Sequence, residues 1–323
     1  MAGWLARRLA QAAVTFVVVV LLLFVLMRLA PGDPLSRLQD GRPMSPEEIA
    51  WLRRLYHLDQ PLPQQLLAFL RGIGRGDLGT SIAYGLPVGV LILSRLPATL
   101  LLGGTVILLN FTLGVWLGVR QAVRRGSRMD RWLTTLSLAG YAIPSFWLGL
   151  VLAWLVGIRL RWLPSAGMTD PLLPLDAPLP ARLLDLGAHL VLPVLTLSVV
   201  TIAGTMRYQR AAMLEVLRLP YVVTARAKGL SDGAVTWRHA WRNALFPVVT
   251  LLGLWLPLLI TGSVFVESVF AWPGLGSLAA GAVGGRDYPL VMGTSLLAAG
   301  LVITANVLTD LAYAMLDPRI RYS

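Results

Sequence analysis

The sequence predicts an all-α polytopic membrane protein with six transmembrane helices. Of its 323 residues, 56% are hydrophobic and only 14% are charged, whereas an ordinary soluble domain has about a quarter of charged residues. The mean hydropathy of +0.69 over this length exceeds what one globular core could bury, so a lipid bilayer is the simplest second apolar environment. The formal net charge of +12 indicates either a nucleic acid or a membrane surface, and its distribution along the chain decides between them.

Six stretches of the chain contain the ~20 predominantly apolar residues that a bilayer-spanning helix needs. They are residues 9–30, 98–119, 132–158, 188–206, 244–270 and 289–315. The first follows Arg7 and Arg8 and could be mistaken for a secretory signal. Its apolar run is too long for one, and Arg28 stands where a small residue should precede a cleavage site. We therefore expect an uncleaved anchor.

The basic residues are concentrated on one side of the predicted membrane. The segments 1–8, 120–131, 207–243 and 316–323 hold 16 basic and four acidic residues, whereas 31–97, 159–187 and 271–288 hold 11 basic and 10 acidic residues. The positive-inside rule places the first set, including both termini, in the cytoplasm. The net charge is thus an orientation signal, and no nucleic-acid partner is expected.

The predicted outer segment 31–97 contains signals for short helices. Ser45, Pro46 and Glu48 form a capping-box pattern that predicts a helix through about Tyr56. A second helix is predicted from about residue 62 to residue 73. The glycines that follow match a dinucleotide-binding fingerprint, but they come after a helix instead of a strand, which favours a loop with turns.

The chain lacks the residues that several classes of function require. The chain has no cysteine, which excludes disulfides, thiolate catalysis and cysteine-ligated metals. Its one lysine, Lys228, lies in a sequence that does not fit a phosphate-binding loop. A proton-coupled secondary transporter or an intramembrane protease would need titratable groups near mid-membrane, whereas His57, His189 and His239 lie outside or at the edges of the spans.

The inner segment 207–243 is the richest in local signals. A helix extending the fourth span is predicted to end before Pro220, and a short helix is predicted over residues 221–228, with Gly229 ending it in a left-handed conformation. Ser231 is expected to cap the next helix. Because the short helix has a mostly small surface with two cations, it could receive a partner protein or lie against anionic lipid headgroups.

Polar residues and prolines within the spans are candidates for lining a path through the membrane. We single out Asn110, Pro144, Ser145 and Glu267 as this candidate set. Pro144 should bend its helix and free backbone carbonyls, although proline kinks in membrane helices often only shape packing. An ionised Glu267 in the bilayer would be costly, so its side chain should face protein, water or the interface.

Ten blocks of sequence, spread over nearly the whole chain, carry a resemblance to a known family. They are RLAPGDP (28–34), LDQPLP (58–63), RGDLGTS (75–81), RLPATLLL (95–102), IPSFWLG (143–149), TARAKG (224–229), RHAWRNALFP (238–247), WPGLG (272–276), RDYP (286–289) and LDPRIRY (316–322). Together they resemble the permease subunits of ATP-binding-cassette importers, specifically the first of the paired membrane subunits of dipeptide, oligopeptide and nickel systems.

The resemblance implies the type I importer permease fold and a division of the chain. Residues 1–30 would be a transmembrane anchor, 31–97 an outer helical segment, 98–315 the transmembrane core with coupling loop 207–243, and 316–323 a cytoplasmic tail. The implied substrates are dipeptides or oligopeptides, with a nickel chelate or another small solute as the alternative and secondary transport as a more distant one.

The resemblance also implies a transport subunit without catalytic, metal or cofactor sites of its own. Partner ATPase subunits, two in number, would bind ATP and Mg²⁺. The other implied partners are a second homologous permease forming a heterodimer, an extracytoplasmic solute-binding protein and the lipid bilayer, in the plasma (inner) membrane of a bacterium or archaeon.

The TARAKG block would couple the permease to its ATPase. The resemblance assigns this role to Tyr221, Val223, Thr224, Ala225, Arg226, Ala227, Lys228 and Gly229. Among these, Thr224, Ala225, Ala227 and Gly229 would pack closely on the ATPase, and Arg226 and Lys228 would be polar anchors. Two departures from the family pattern, Pro220 and Val223, stand where an acidic residue and an arginine are usual.

Overall fold

The computed structural model of the protein describes residues 2–29, 35, 44–56, 58–174, 176–260 and 263–316, and this part of the chain is helical. Its helices are α1 (Ala2–Leu29), α2 (Pro46–Leu55), α3 (Leu62–Gly74), α4 (Val88–Val123), α5 (Arg128–Ala142), α6 (Ser145–Arg159), α7 (Leu179–Val216), α8 (Pro220–Ala227), α9 (Asp232–Ala234, Val235–Ala240 and Trp241–Ala244), α10 (Phe246–Ile260), α11 (Val264–Val269), α12 (Leu275–Gly284) and α13 (Tyr288–Leu316). The described residues contain no β-structure beyond one isolated bridge between Thr80 and Pro87.

Four of these helices are long and apolar enough to cross a membrane. They are α1, α4, α7 and α13; α1 contains the predicted first span up to Leu29, and the other three contain the predicted second, fourth and sixth spans. The predicted third span is not straight, since α5 and α6 meet at an angle of 97° next to Pro144. The predicted fifth span is divided between α10 and α11, with residues 261–262 outside the described part. The protein is therefore a multi-pass membrane protein, and the count of six spans stays a prediction.

The segment before α4 folds as its local sequence predicts. Ser45 caps α2 through a complete capping box, in which Glu48 N donates to Ser45 Oγ at 3.1 Å and Ser45 N donates to Glu48 Oε2 at 2.9 Å. The predicted second helix is α3, and it ends at Gly74. Gly76 and Gly79 follow with positive φ angles of 75° and 84°, so the glycine pattern makes turns in a loop.

Three stretches of the described residues are π-helical, and no periodicity in the sequence indicates them. They are Asn110–Gly114 within α4, Ala153–Arg159 in α6 and Val235–Ala240 in α9. A π-helical turn inserts an extra residue into an α-helix and rotates the side chains that follow it. The π-helical turn in α4 thus sets which residues of its second half face α7.

The second half of α4 packs closely on α7 through two glycines. A Cβ atom at Gly114 would lie 3.1 Å from Thr205 Cβ, and one at Gly118 would lie 2.6 Å from the Met206 carbonyl oxygen and 2.8 Å from Gln209 Cβ. The four-residue spacing of these glycines brings the two backbones together, as small residues do at helix interfaces in membranes. The helices α4 and α7 thus form a tightly packed centre, against which α5 and α10 also pack.

Alanine at Gly118 should destabilise the protein, although alanine ordinarily favours a helix. The added methyl group would force α4 and α7 apart, at a cost of about 1–3 kcal/mol. Gly104, in the same helix, is the matched control because a Cβ atom there meets nothing within 4 Å. In thermal unfolding of the detergent-solubilised protein, we expect a lower Tm for Gly118→Ala only. Equal Tm values for the two variants would contradict this packing.

Candidate functional site

The short helix α8 turns two of its residues inward and the rest outward. Val222 and Ala225 lie three positions apart, on one face of the helix, and both are buried in the protein's own core with Met213 and Val235. The other seven residues predicted for coupling are exposed. They are Tyr221, Val223, Thr224, Arg226, Ala227, Lys228 and Gly229. Ala225 therefore packs α8 against the protein's own core and does not offer a surface to a partner.

The ends of α8 are set by the residues that the sequence indicates. Pro220 occupies its first position, and Gly229 follows it with a φ angle of 78°, donating its N–H to the Arg226 carbonyl at 2.9 Å. Ser231 then caps α9 by accepting a hydrogen bond from Ala234 N at 3.3 Å. The break between α8 and α9 is thus a tight turn built from Gly229 and Ser231.

Tyr221 joins α8 to α9. Its hydroxyl accepts a hydrogen bond from Asn243 Nδ2 at 2.7 Å, and the same amide group donates to the His239 carbonyl at 3.3 Å. Asn243 and His239 belong to the RHAWRNALFP block, and Tyr221 lies three residues before the TARAKG block. The two blocks are therefore held in one arrangement by contacts between them, in addition to their shared core.

Around α8 the protein exposes apolar side chains together with two cations. We call this set the tip surface: Leu219, Val223, Arg226, Lys228 and Leu230. The exposed fraction reaches 55% for Val223 and exceeds 40% for Leu219 and Leu230. Exposed apolar residues grouped beside charged ones are typical of protein interaction sites. Sequence reasoning missed Leu219 and Leu230, although apolar residues directly beside the breaks at Pro220 and Gly229 are the signal that could have identified them.

A partly buried ion pair holds α7, the helix that precedes the tip surface. Arg210, on α7, donates from Nε to Asp130 Oδ1 at 2.9 Å and from Nη2 to Asp130 Oδ2 at 3.0 Å. Gly126 N donates to the same carboxylate at 2.9 Å. Two parallel hydrogen bonds fix the guanidinium in one orientation. The turn between α4 and α5 is thus tied to the part of α7 nearest α8.

The four residues predicted to line a path lie on different elements. Asn110 begins the π-helical turn of α4 and is fully buried, and within the described chain its side-chain nitrogen and oxygen have no hydrogen-bond partner. Pro144 lies at the bend and caps α6, of which Ser145 is the first residue. Glu267 is fully buried in α11. Its carboxyl group accepts hydrogen bonds from Thr99 and Ser277 and makes none with Asn110, Pro144 or Ser145.

The carboxyl group of Glu267 organises the WPGLG block. Its Oε2 accepts a hydrogen bond from Ser277 N at 2.7 Å, in the first turn of α12. Thr99, on α4, lies 3.4 Å from Oε1 and accepts the N–H of Leu275 at 2.7 Å. A Cβ atom at Gly274 would collide with the carboxyl group. Glu267 therefore caps α12 and docks the α11–α12 hairpin on α4.

Two other blocks of the resemblance meet at Asp287. Its carboxylate accepts the hydroxyl of Ser81, the N–H of Ala83 at 3.0 Å and the N–H of Leu290 at 3.2 Å. It thus caps α13 and ties the RGDLGTS block to the RDYP block. Neighbouring Tyr56 is half-buried. Its burial, and to a smaller extent the negative charge of Asp287, raises the pKa of its hydroxyl group. Across the described residues, no group of three histidine or acidic residues could hold a metal ion.

The long apolar helices and the bent pair define a multi-pass α-helical membrane protein. Residues 110–322 match the family described as "Binding-protein-dependent transport system inner membrane component", and residues 1–103 match its companion N-terminal family. The chain therefore belongs to the family of inner membrane components of binding-protein-dependent transport systems.

Curated relatives match along the whole chain. The di/tripeptide transport system permease protein DppB of Pseudomonas aeruginosa is 41% identical, covering 100% of this chain and 99% of its own. The oligopeptide transport system permease protein AppB of Bacillus subtilis is 39% identical, covering 100% of both chains. The dipeptide transport system permease protein DppB of Escherichia coli is 38% identical, covering 100% of this chain and 99% of its own.

Proposed function

We propose that this protein is a permease subunit of an ATP-binding-cassette importer that carries dipeptides or oligopeptides across the inner membrane. The observation that carries the proposal is the identity of 38–41% over essentially full length to three permeases whose names specify di/tripeptide, oligopeptide and dipeptide transport. In the assembled importer, a solute-binding protein delivers the peptide, and a second, homologous permease completes the path.

We further propose that the tip surface docks on a separate ATPase subunit, which binds ATP and Mg²⁺. Three observations support this role. The segment leaves the apolar side chains of Leu219, Val223 and Leu230 exposed. Two cations, Arg226 and Lys228, stand beside these apolar groups and would meet acidic groups or carbonyls of the partner. The rest of the loop is braced from within by Tyr221 and Ala225, so that its outer face is preformed.

This arrangement allows ATPase closure to drive alternating access by a rigid-body movement. A displaced α8 would carry α9 with it through the hydrogen bond between Asn243 and Tyr221, and α7 through the buried contacts of Val222 and Ala225 with Met213. The movement would pass to α5 through the ion pair between Arg210 and Asp130. The six-span topology with cytoplasmic termini is part of the proposal, since it places the tip surface on the side of ATP.

The function is tested by uptake into proteoliposomes that contain the whole transporter. The protein is co-produced with its cognate second permease, ATPases and binding protein. A radiolabelled dipeptide, a pentapeptide and a nickel chelate are then offered in turn. We expect ATP-dependent accumulation of a peptide that requires the binding protein. Accumulation of the nickel chelate alone would overturn the peptide assignment, and accumulation driven by a proton gradient without ATP would overturn the importer class.

A further inference from the structure

A cavity of about 320 Å³ lies where α1, α3 and the start of α13 meet. Its apolar wall includes Phe24 and Phe69, whose rings stack with centroids 6.1 Å apart, and Met292. Its polar wall includes Arg28, Tyr56, Gln65 and Asp77. The volume falls within the range of small-molecule sites, roughly 300–1,000 Å³. Neither the proposed path nor the tip surface uses this cavity.

The cavity contains polar groups without partners in the described chain. The guanidinium of Arg28 lies 5.4 Å from the centre of the Phe24 ring, and none of the described carboxylates lies within ion-pair distance of it. Gln65 is only 7% exposed, and its Nε2 donates to the Gln60 carbonyl at 2.7 Å. Its Oε1, however, has no hydrogen-bond partner. A buried acceptor of this kind normally binds a donor.

The surroundings of the cavity are apolar and exposed, as a surface in contact with lipid should be. Helix α1 exposes Leu22, Val25 and Leu26 in the turns just before and around Phe24. Helix α3 exposes Leu62, Leu67 and Leu70. An amphipathic helix with an exposed apolar face is suited to the membrane–water interface. The cavity lies between α1, which is long enough to span a membrane, and the amphipathic α3, an arrangement suited to the depth of lipid headgroups.

We propose that this cavity binds the headgroup of a phospholipid with a primary ammonium group, with its phosphate on Arg28 and its ammonium on Gln65 Oε1. The guanidinium is suited to a phosphate, with which it can form paired, charge-assisted hydrogen bonds. The Gln65 oxygen needs a hydrogen-bond donor, which a primary ammonium supplies and a quaternary one does not. The exposed carboxylate of Asp77 adds an attraction for the same cation. Phosphatidylethanolamine meets these requirements, whereas phosphatidylcholine lacks the donor.

The test is native mass spectrometry of the delipidated, full-length protein titrated with phosphatidylethanolamine, phosphatidylcholine and phosphatidylglycerol of identical acyl chains. We expect phosphatidylethanolamine to bind about tenfold more tightly than phosphatidylcholine, the factor that one charge-assisted hydrogen bond provides. Arg28→Gln should weaken all three lipids, and Arg28→Lys should retain most of the binding. Gln65→Leu should remove the preference for phosphatidylethanolamine over phosphatidylcholine.

Arg75→Gln is the matched control, because Arg75 is an exposed cation of the same segment that does not line the cavity. It should change the affinity of none of the lipids. Equal binding of phosphatidylethanolamine and phosphatidylcholine, or full binding to Arg28→Gln, would overturn the proposal. Two competitors complete the design. Displacement of the lipid by free phosphoethanolamine at equal concentration would indicate a site for a soluble phosphate, and displacement by a dipeptide would indicate a peptide site. Should Arg28→Gln fail to fold, Gln65→Leu still decides the outcome.

Discussion

Charge reversal of Arg226 and Lys228 together to glutamate is expected to abolish ATP-driven peptide uptake. Both cations are exposed on the tip surface, so the substitutions leave the protein's own core unchanged. Like charges brought together across an interface cost several kcal/mol, and about 3 kcal/mol already lowers the affinity for the ATPase on the order of 100-fold. The measurements are uptake in proteoliposomes and the amount of ATPase that co-purifies with the permease.

The control for this prediction is charge reversal at Arg238 and Arg242, two exposed cations of the same segment outside the tip surface. The net charge changes equally, so a general electrostatic effect would impair both double variants. Only the double variant at Arg226 and Lys228 should lose its binding to the ATPase. If both double variants retained full uptake, the tip surface would not be the docking site.

A pair of single substitutions separates docking from folding at the same helix. Val223→Asp alters an exposed side chain and should impair ATPase binding without lowering Tm. Ala225→Leu enlarges a buried one and should lower Tm, since overpacking a core costs about 1–3 kcal/mol. The reverse pattern would mean that α8 turns its other face to the partner.

Removal of the Glu267 carboxyl group is expected to loosen the α11–α12 hairpin from α4. In Glu267→Leu, the N–H of Ser277 loses its buried acceptor, which costs about 1–3 kcal/mol for each group left unsatisfied. Glu267→Gln keeps an acceptor oxygen at nearly the same place and should be milder. Thermal unfolding in detergent should therefore rank the Tm values as wild type, then Glu267→Gln, then Glu267→Leu.

Gly274 offers an independent test of the same site. Alanine there would place a methyl group against the Glu267 carboxyl group, whereas at Gly281, also in the hairpin region, it would meet nothing within 4 Å. Gly274→Ala should lower both Tm and uptake, and Gly281→Ala should change neither by much. Full uptake by Glu267→Leu and Gly274→Ala would show that the hairpin need not be anchored on α4.

Local rules predicted the short elements well. Ser45, Pro220, Gly229 and Ser231 end or begin helices where the sequence indicates, because capping and breaking depend on a few neighbouring residues. The family resemblance was confirmed by the matches over the whole chain, since it rested on many blocks in a fixed order.

The remaining features depend on contacts between distant segments. The inward position of Ala225 follows from the rotation of α8 against α7, which composition does not reveal. Glu267 looked like a polar residue in a span, but its hydrogen-bond partners are far along the chain at Thr99 or beyond a turn at Ser277. Similarly, Pro144 predicted a bend, but the local sequence does not give its angle of 97°, and both α5 and α6 pack against the distant helix α7.

The continuous helix α7 has a mechanical consequence. Its 38 residues make it about 57 Å long, nearly twice the ~30 Å thickness of the hydrocarbon layer. A tilt of about 10° would move one end roughly 10 Å relative to the other, by the same helical rise. A small rotation imposed at the end near α8 is thus amplified into a large displacement at the opposite end. The helix thus has the dimensions of a lever arm, and the ion pair between Arg210 and Asp130 joins it to α5 near the end next to α8.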